Sequence, residues 1–190
     1  AQKPLIVMCA PNGAELQKCD HAMVPLTPGE LADCAGSLLP LGVSIMHLHV
    51  RDSAGRHSLD PGLYRRAMAA IRERVGDSLI LQVTTEALEI FDRRQQMDLV
   101  RELRPEAVSM AFRELCPNDR LLDESGVFFR ELAELGTWPQ YILYTREEAA
   151  RFDRLRKEAP GTDLLMYTRK QEYIDEAFSR PGVIVGSDGM

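Results

Sequence analysis

The sequence predicts an α/β fold, either a closed (β/α)8 TIM barrel or an open doubly wound sheet, and three observations bear on this prediction. Short apolar runs rich in Val, Ile and Leu alternate with helical patterns along the whole chain. These runs are nearly continuous, as is typical of parallel strands that are covered on both faces. The first run leads into Pro11-Asn12-Gly13-Ala14 rather than a Gly-x-Gly-x-x-Gly turn, which disfavours an open dinucleotide-binding sheet.

Strands are predicted at seven places, which is one short of a closed eight-stranded barrel. They are Leu5–Ala10, Val43–Val50, Leu79–Thr84, Ala107–Phe112, Tyr141–Tyr144, Leu164–Tyr167 and Val183–Gly186. The pattern therefore leaves open whether the barrel is complete. Residues 1–190 are short enough to share a single core, and we expect one barrel domain.

Helix start signals fall where this architecture needs them. Thr27 and Glu30 have the spacing of a capping box with Pro28 at the first helical position, and Asp60-Pro61 opens the next helix in the same way. Thr145 to Glu148 forms another capping box directly after a predicted strand. Strand, short loop and helix in this order indicate right-handed βαβ units.

Composition narrows the classes of function. The formal net charge is -6, so we expect no nucleic-acid partner, because binding to phosphate backbones requires a basic surface. No apolar run approaches the roughly 18 residues of a membrane span, and we expect no membrane partner. The four cysteines lack paired spacing, and no leader pattern is apparent, which together favour a reduced, cytoplasmic protein.

Polar residues gather where the predicted strands end. Because ligands of both parallel architectures bind beyond the carboxyl ends of the strands, these positions are the candidate site. The candidates are Asn12, Gly13, Glu15, His47, His49, Arg51, Asp52, Gln82, Thr84, Thr85, Glu86, Arg113, Glu114, Thr145 and Asp188.

The sharpest signal is His47-Leu48-His49. Residues two apart on a strand point to the same face, so the two imidazoles are able to take adjacent positions on one metal ion. The spacing predicts a divalent metal, with zinc as the expected ion. His57 lies in a polar loop, and we expect it to be solvated.

Three further candidates each have two interpretations. Arg51 follows on the same face and either clamps a substrate carboxylate or forms a salt bridge with Asp52 or Glu15. Thr84 and Thr85 either offer hydroxyls to a substrate oxygen or are ordinary β-branched strand residues.

The chain resembles the β-keto acid cleavage enzymes, of which the 3-keto-5-aminohexanoate cleavage enzyme is a member. The matching stretches keep their order and cover roughly residues 3–155. They are Cys9 to Glu15, Pro25 to Leu31, His47 to Asp52, Gln82 to Thr85, Arg104 to Ser109, and Ile142 to Tyr144.

This resemblance implies a (β/α)8 barrel with Zn²⁺ held by His47, His49 and a late glutamate. It implies a retro-Claisen exchange in which a β-keto acid and acetyl-CoA give acetoacetate and a new acyl-CoA. By motif position Glu15 matches a substrate-contacting glutamate and Thr84 matches a hydroxyl-bearing residue. We expect Glu15, Arg51 and Thr84 to be catalytic. The expected substrate-binding residues are Asn12, Gly13, Thr85 and Glu114.

The chain departs from the family pattern in two places. Glu86 stands where the family often has glycine, and the match fades beyond about residue 155. No late Gly-x-Glu element is visible, so Asp188 is the predicted third metal ligand. A zinc-dependent amide or ester hydrolase and an inactive, metabolite-binding incomplete barrel remain as alternatives. We expect a homo-oligomer, because an open barrel would leave edge strands and an apolar seam for a second subunit to cover.

Overall fold

The computed structural model describes residues 6–158 and 164–166. These residues fall into two compact units that divide after Thr84. Each unit alternates strands with helices, and all strand pairs of its main sheet are parallel. The α/β class predicted from the sequence is therefore confirmed, whereas the single-domain assignment remains a prediction. No helix in the described residues is long and apolar enough to cross a membrane.

The first unit has three parallel strands in the order β1-β2-β5 and a separate antiparallel hairpin, β3–β4. Its elements are β1 Met8–Cys9, α1 Pro28–Leu38, β2 Ile45–Leu48, β3 Val50–Arg51, β4 His57–Ser58, α2 Pro61–Val75 and β5 Ile80–Thr84.

The caps of the two helices in this unit follow the sequence signals. Thr27 accepts a hydrogen bond from the Glu30 backbone while the Glu30 side chain bonds back, so the predicted capping box at α1 is confirmed. Asp60 caps α2, and Gly76 ends it at a φ of 60°, where a side chain would be strained. The two helices bury Leu31, Ala35 and Ile71 along their contact with the rest of the unit.

The hairpin was not predicted. The single strand expected at Val43–Val50 ends as β2 at Leu48, and the chain resumes as β3 after His49. In the hairpin Arg51 pairs directly with His57, and a turn through Gly55 at a φ of 78° connects the two strands. As a result of this pairing, the side chains of Arg51 and His57 are buried, although the segment between them is polar.

The second unit has three parallel strands in the order β6-β7-β8. Its elements are α3 Arg93–Leu103, β6 Ala107–Ala111, α4 Phe112–Leu115, α5 Leu122–Leu135, β7 Trp138–Leu143, α6 Arg146–Glu158 and β8 Leu164–Met166. The predicted strand at Val183–Gly186 lies outside the described residues.

Aromatic rings form the core of the second unit. Tyr141 of β7 is fully buried, with its ring centroid 4.8 Å from that of Phe129 and 4.7 Å from that of Phe152. Phe112 and Phe128 complete the cluster. Aromatic pairs stabilise by roughly 0.5–1.5 kcal/mol each beyond the burial of apolar area, so this cluster contributes to the packing of the helices of this unit.

Candidate active site

Two imidazoles converge at the end of β2. His47 is the third residue of that strand and His49 follows it by two positions, so both side chains lie on one face. The Nε2 atoms of the two rings are 3.0 Å apart. Two nitrogens bound at roughly 2.0–2.1 Å to one tetrahedral zinc would lie about 3.3 Å apart, close to the separation found here.

Gln82 fixes the orientation of the first imidazole. It lies directly opposite His47 in the parallel register of β2 and β5, and its Oε1 is 2.7 Å from His47 Nδ1. An amide oxygen only accepts, so this contact is a hydrogen bond in the tautomer of His47 that has its proton on Nδ1 and its lone pair on Nε2. Metal-binding histidines use this arrangement, in which the second ring nitrogen donates to a neighbouring acceptor.

His49 is kept neutral by its surroundings. The residue is 3% exposed, and burial lowers its pKa well below the ordinary value, helped by the nearby charges of His47, His57 and Arg51. A neutral imidazole is the form that binds metal. The donor set of His47 and His49 therefore fits a divalent ion.

The expectation that His57 is solvated is wrong. The hairpin buries His57 to 6% exposure and brings its ring centroid to 5.4 Å from that of His49. The polar composition of residues 53–58 suggested a solvated loop, but pairing with β3 turns this side chain inward. His57 is thus a third imidazole beside the pair.

The two histidines are the only members of the predicted ligand set that the structure describes. Among the described residues no group of three or more His, Cys, Asp and Glu side chains has an arrangement that would hold a metal ion. Asp188, the predicted third ligand, lies outside the described residues and stays a prediction, as does the identity of the ion.

The first loop of the unit is tied to the histidine strand. Asn12 is fully buried, and its Nδ2 donates to the carbonyl oxygens of His49 at 2.8 Å and Pro25 at 3.0 Å. Gly13 has a φ of 55°, a conformation that favours glycine. Glu15 is exposed two residues further on. These contacts bring the predicted loop next to the imidazoles, while the roles of its residues stay predictions.

The guanidinium of Arg51 donates hydrogen bonds to this same loop. The side chain is 7% exposed, and Nη2 donates to the carbonyl of Gly13 at 2.7 Å and to that of Leu16 at 3.3 Å. Asp52, one of its suggested salt-bridge partners, pairs with Arg56 at 2.8 Å. The Arg51 guanidinium is thus held by the carbonyl oxygens of this loop, and its role toward a substrate stays a prediction.

Thr84 closes this unit at the end of β5. It is 3% exposed, and its carbonyl accepts from the buried hydroxyl of Tyr64 at 3.2 Å. Its side chain alternates with that of Val83 and so lies on the face that carries Gln82. The hydroxyl therefore belongs to the His47 side of the sheet, and its catalytic role stays a prediction.

The second unit holds the remaining two candidates, Thr85 and Glu114. Gln96 of α3 is buried and contacts both residues through its side-chain amide. With the amide nitrogen turned toward them, this nitrogen is 3.1 Å from Glu114 Oε2, 3.0 Å from the Thr85 carbonyl oxygen and 3.2 Å from Thr85 Oγ1. Thr85 also bonds Ser109 of β6 through its backbone N–H at 3.1 Å. The two candidates thus form one polar cluster.

The pKa of the Glu114 carboxyl is raised. Burial raises the pKa of Glu114 to about 7. A hydrogen bond from the Ala87 backbone and the charge of Arg113 lower the pKa, and the charge of Glu86 raises it. The guanidinium of Arg113 bonds Glu148 at 2.8 Å and lies over the ring of Tyr144, 4.2 Å from its centroid. Glu114 is therefore able to exchange a proton near neutral pH.

The sequence named Gln82 as a strand-end candidate, but it did not reveal the structural roles of His57 and Gln96 at these positions. Gln82 and Gln96 are 3% and 1% exposed, and each orients a candidate side chain. The position of Gln82 near the end of a mainly apolar strand was the signal that named it. His57 and Gln96 had no such signal, because their burial depends on long-range packing.

Comparison with known proteins gives a family match over most of the chain. The sequence model of the family described as beta-keto acid cleavage enzyme matches residues 4–165. A 3-keto-5-aminohexanoate cleavage enzyme of Fusobacterium nucleatum is 36% identical over 106 residues, covering 56% of this chain and 38% of that protein. The enzyme of the same name from Acetoanaerobium sticklandii is 31% identical over 106 residues, with the same 56% and 38% coverage.

A third relative is a 3-oxoadipate:acetyl-CoA acetyltransferase of Cupriavidus necator. It is 29% identical over 109 residues, which is 57% of this chain and 37% of that protein. The chain therefore spans less than two thirds of the length of these relatives.

A solved structure supports the fold. N-acetylneuraminate lyase from Mycoplasma synoviae aligns with a TM-score of 0.50 at 13% identity, covering 82% of this chain and 56% of that chain. This likeness bears on the fold alone. The TIM-barrel-like class predicted from the sequence is confirmed, and an incomplete barrel is consistent with it.

Proposed function

The chain belongs to the beta-keto acid cleavage enzymes, and on that premise we propose that it catalyses a retro-Claisen acyl exchange. A β-keto acid and acetyl-CoA would give acetoacetate and a new acyl-CoA. The bond between the α-carbon and the keto carbon of the substrate breaks, and the acyl group passes to the CoA sulfur. The acetyl group takes its place on the α-carbon, so atoms and charge balance without an oxidant or reductant.

The pair of imidazoles at the end of β2 is the observation that carries this proposal. The 3.0 Å separation of the Nε2 atoms and the acceptor behind His47 Nδ1 both suit a shared divalent ion. We propose His47, His49 and Asp188 as the ligands and zinc as the ion. When bound, such an ion supplies Lewis-acid polarisation of the keto oxygen.

The other residues of the first unit hold the substrate and move its protons in this proposal. Arg51 attracts the carboxylate of the β-keto acid, because its buried guanidinium already lies on the loop carbonyls beside His49. Glu15, exposed on the same loop, acts as base and orienter. The Thr84 hydroxyl donates to a substrate oxygen, and the Gly13 loop forms part of the binding surface.

We also propose Thr85 and Glu114, which belong to the second unit, as substrate-binding residues. Their joint contact with Gln96 supports a shared role, since one buried amide orients both. We further propose a cytoplasmic homo-oligomer, to be checked by sedimentation of the purified protein.

The test combines metal content with acyl exchange in the complete protein. The variants are His47→Ala, His49→Ala and the matched control His21→Ala, which removes an exposed imidazole. We expect stoichiometric zinc in the wild type and the control but not in the two site variants. We also expect consumption of a β-keto acid that depends on acetyl-CoA and is lost together with the metal.

Two results would overturn the proposal. The first is unchanged zinc content in either site variant. The second is hydrolysis of N-acyl amino acids without CoA, combined with no exchange, which would identify the protein as a metal-dependent hydrolase.

A further inference from the structure

The side-chain amide of Asn12 bonds both the carbonyl and the N–H of the His49 backbone. Its Nδ2 donates to the His49 carbonyl at 2.8 Å, and its Oδ1 accepts from the His49 N–H at 3.3 Å. A neighbouring β-strand would offer the same donor and acceptor. Since β1 ends at Cys9, the side chain of Asn12 takes over the pairing beyond the end of that strand.

The amide of Asn12 is fully committed inside the protein. Its second N–H donates to the Pro25 carbonyl at 3.0 Å, and the residue is 0% exposed. A primary amide has two N–H donors, so neither is left for a substrate. The position of Asn12 at a strand end suggested a substrate contact, but its hydrogen bonds point inward.

The loop that carries Asn12 is itself anchored from the histidine strand. Arg51 Nη2 donates to the carbonyls of Gly13 at 2.7 Å and Asn12 at 3.4 Å. Asn12 of the loop therefore holds the backbone of His49, and the Arg51 side chain in turn holds the loop. This reciprocal arrangement leaves the backbone between β2 and β3 little freedom.

We infer that Asn12 is a positioning residue, which sets the direction of the His49 imidazole by fixing the backbone of His49 through its carbonyl and N–H. The inference rests on the proposed function, in which His49 is a metal ligand. Asparagine is required because it combines a donor and an acceptor at this length. Leucine has a similar shape and volume but keeps neither.

The experiment measures metal binding in the complete protein rather than turnover alone. Zinc affinity of Asn12→Leu and Asn12→Ala is determined by chelator competition, and the cobalt(II)-loaded forms are compared by visible absorption. The matched control is Ser125→Ala, which loses buried hydrogen bonds to the Leu115 carbonyl and from Arg93. It tests for a general loss of stability without altering the contacts of His49.

We expect both Asn12 variants to bind zinc roughly 10–100-fold more weakly, the usual effect of losing a group that orients a ligand. The cobalt absorption band should change in intensity or position, and the control should match the wild type in both measurements. The KM for the β-keto acid should remain near the wild-type value while kcat at limiting metal falls.

The inference is overturned if zinc affinity and the cobalt spectrum are unchanged while KM rises, because Asn12 would then contact substrate. It is also overturned if Ser125→Ala weakens zinc binding equally, since the loss would reflect stability. If Asn12→Leu does not fold, Asn12→Ala gives the same decision. A wild-type protein that binds no zinc would instead refute the proposed function.

Discussion

Glu114→Gln should stabilise the protein above neutral pH and have little effect in acid. The half-buried carboxyl of Glu114 has a pKa raised from 4.5 to about 7. The folded state therefore binds this proton more tightly than the unfolded chain does. The resulting stabilisation is fully present below the unfolded value and is lost as pH rises through the folded value. Glutamine cannot ionise, so the variant keeps this stabilisation at high pH.

The size of the effect follows from the pKa and from exposure. A pKa raised to about 7 corresponds at most to roughly 3 kcal/mol of stability at high pH. Solvent reaches part of the side chain and screens its charge, so we expect about 1 kcal/mol. The Gln96 amide that contacts Glu114 Oε2 is able to turn and bond the new side chain, which limits any loss of the hydrogen bond.

Urea unfolding of the wild type and the variant at about pH 5 and about pH 8.5 measures this difference, since the two values bracket the folded pKa. Glu134→Gln, which alters an exposed glutamate of α5, is the matched control. A variant no more stable than the wild type at the higher pH would refute the reasoning. So would a gain of equal size at both values, because a hydrogen-bonding effect does not depend on ionisation.

Two further predictions concern single contacts. Gln82→Leu removes the acceptor behind His47 Nδ1 and should weaken zinc binding roughly tenfold to a hundredfold in chelator competition, whereas unchanged affinity would contradict the role given to Gln82. Tyr141→Phe should leave the free energy of unfolding unchanged or raise it by up to about 1 kcal/mol, because among the described residues the buried hydroxyl of Tyr141 has no hydrogen-bond partner. A loss of more than about 1 kcal/mol on urea unfolding would mean that the hydroxyl makes a stabilising bond.

Local chemistry made much of the fold predictable from the sequence. The mainly apolar runs at β5 and β6 were enough to identify buried parallel strands. Thr27 and Asp60 marked the starts of their helices, because capping depends on residues only three positions apart. The shared face of His47 and His49 followed in the same way from strand alternation. These features depend on short stretches of chain.

The rest depended on contacts between distant segments. Alternation assigns Gln82 to a face, but its contact with His47 requires the register of β2 against β5, which no local pattern specifies. His57 was misjudged because polar composition describes the average loop, and pairing with β3 overrides it. The inward hydrogen bonds of Asn12 reach Pro25 and His49, 13 and 37 positions away along the chain.

The β3–β4 hairpin makes the length of its turn matter more than its sequence. Arg51 and His57 share one rung, so both side chains point to the same face. Adding or removing one residue between Asp52 and Arg56 would shift this rung by one position and direct the imidazole of His57 to the opposite face. Substitutions at exposed Ser53 and Ala54 leave the rung in place. Variation among related proteins at this turn is therefore expected in residue type, while a change in residue number would alter the surroundings of His49.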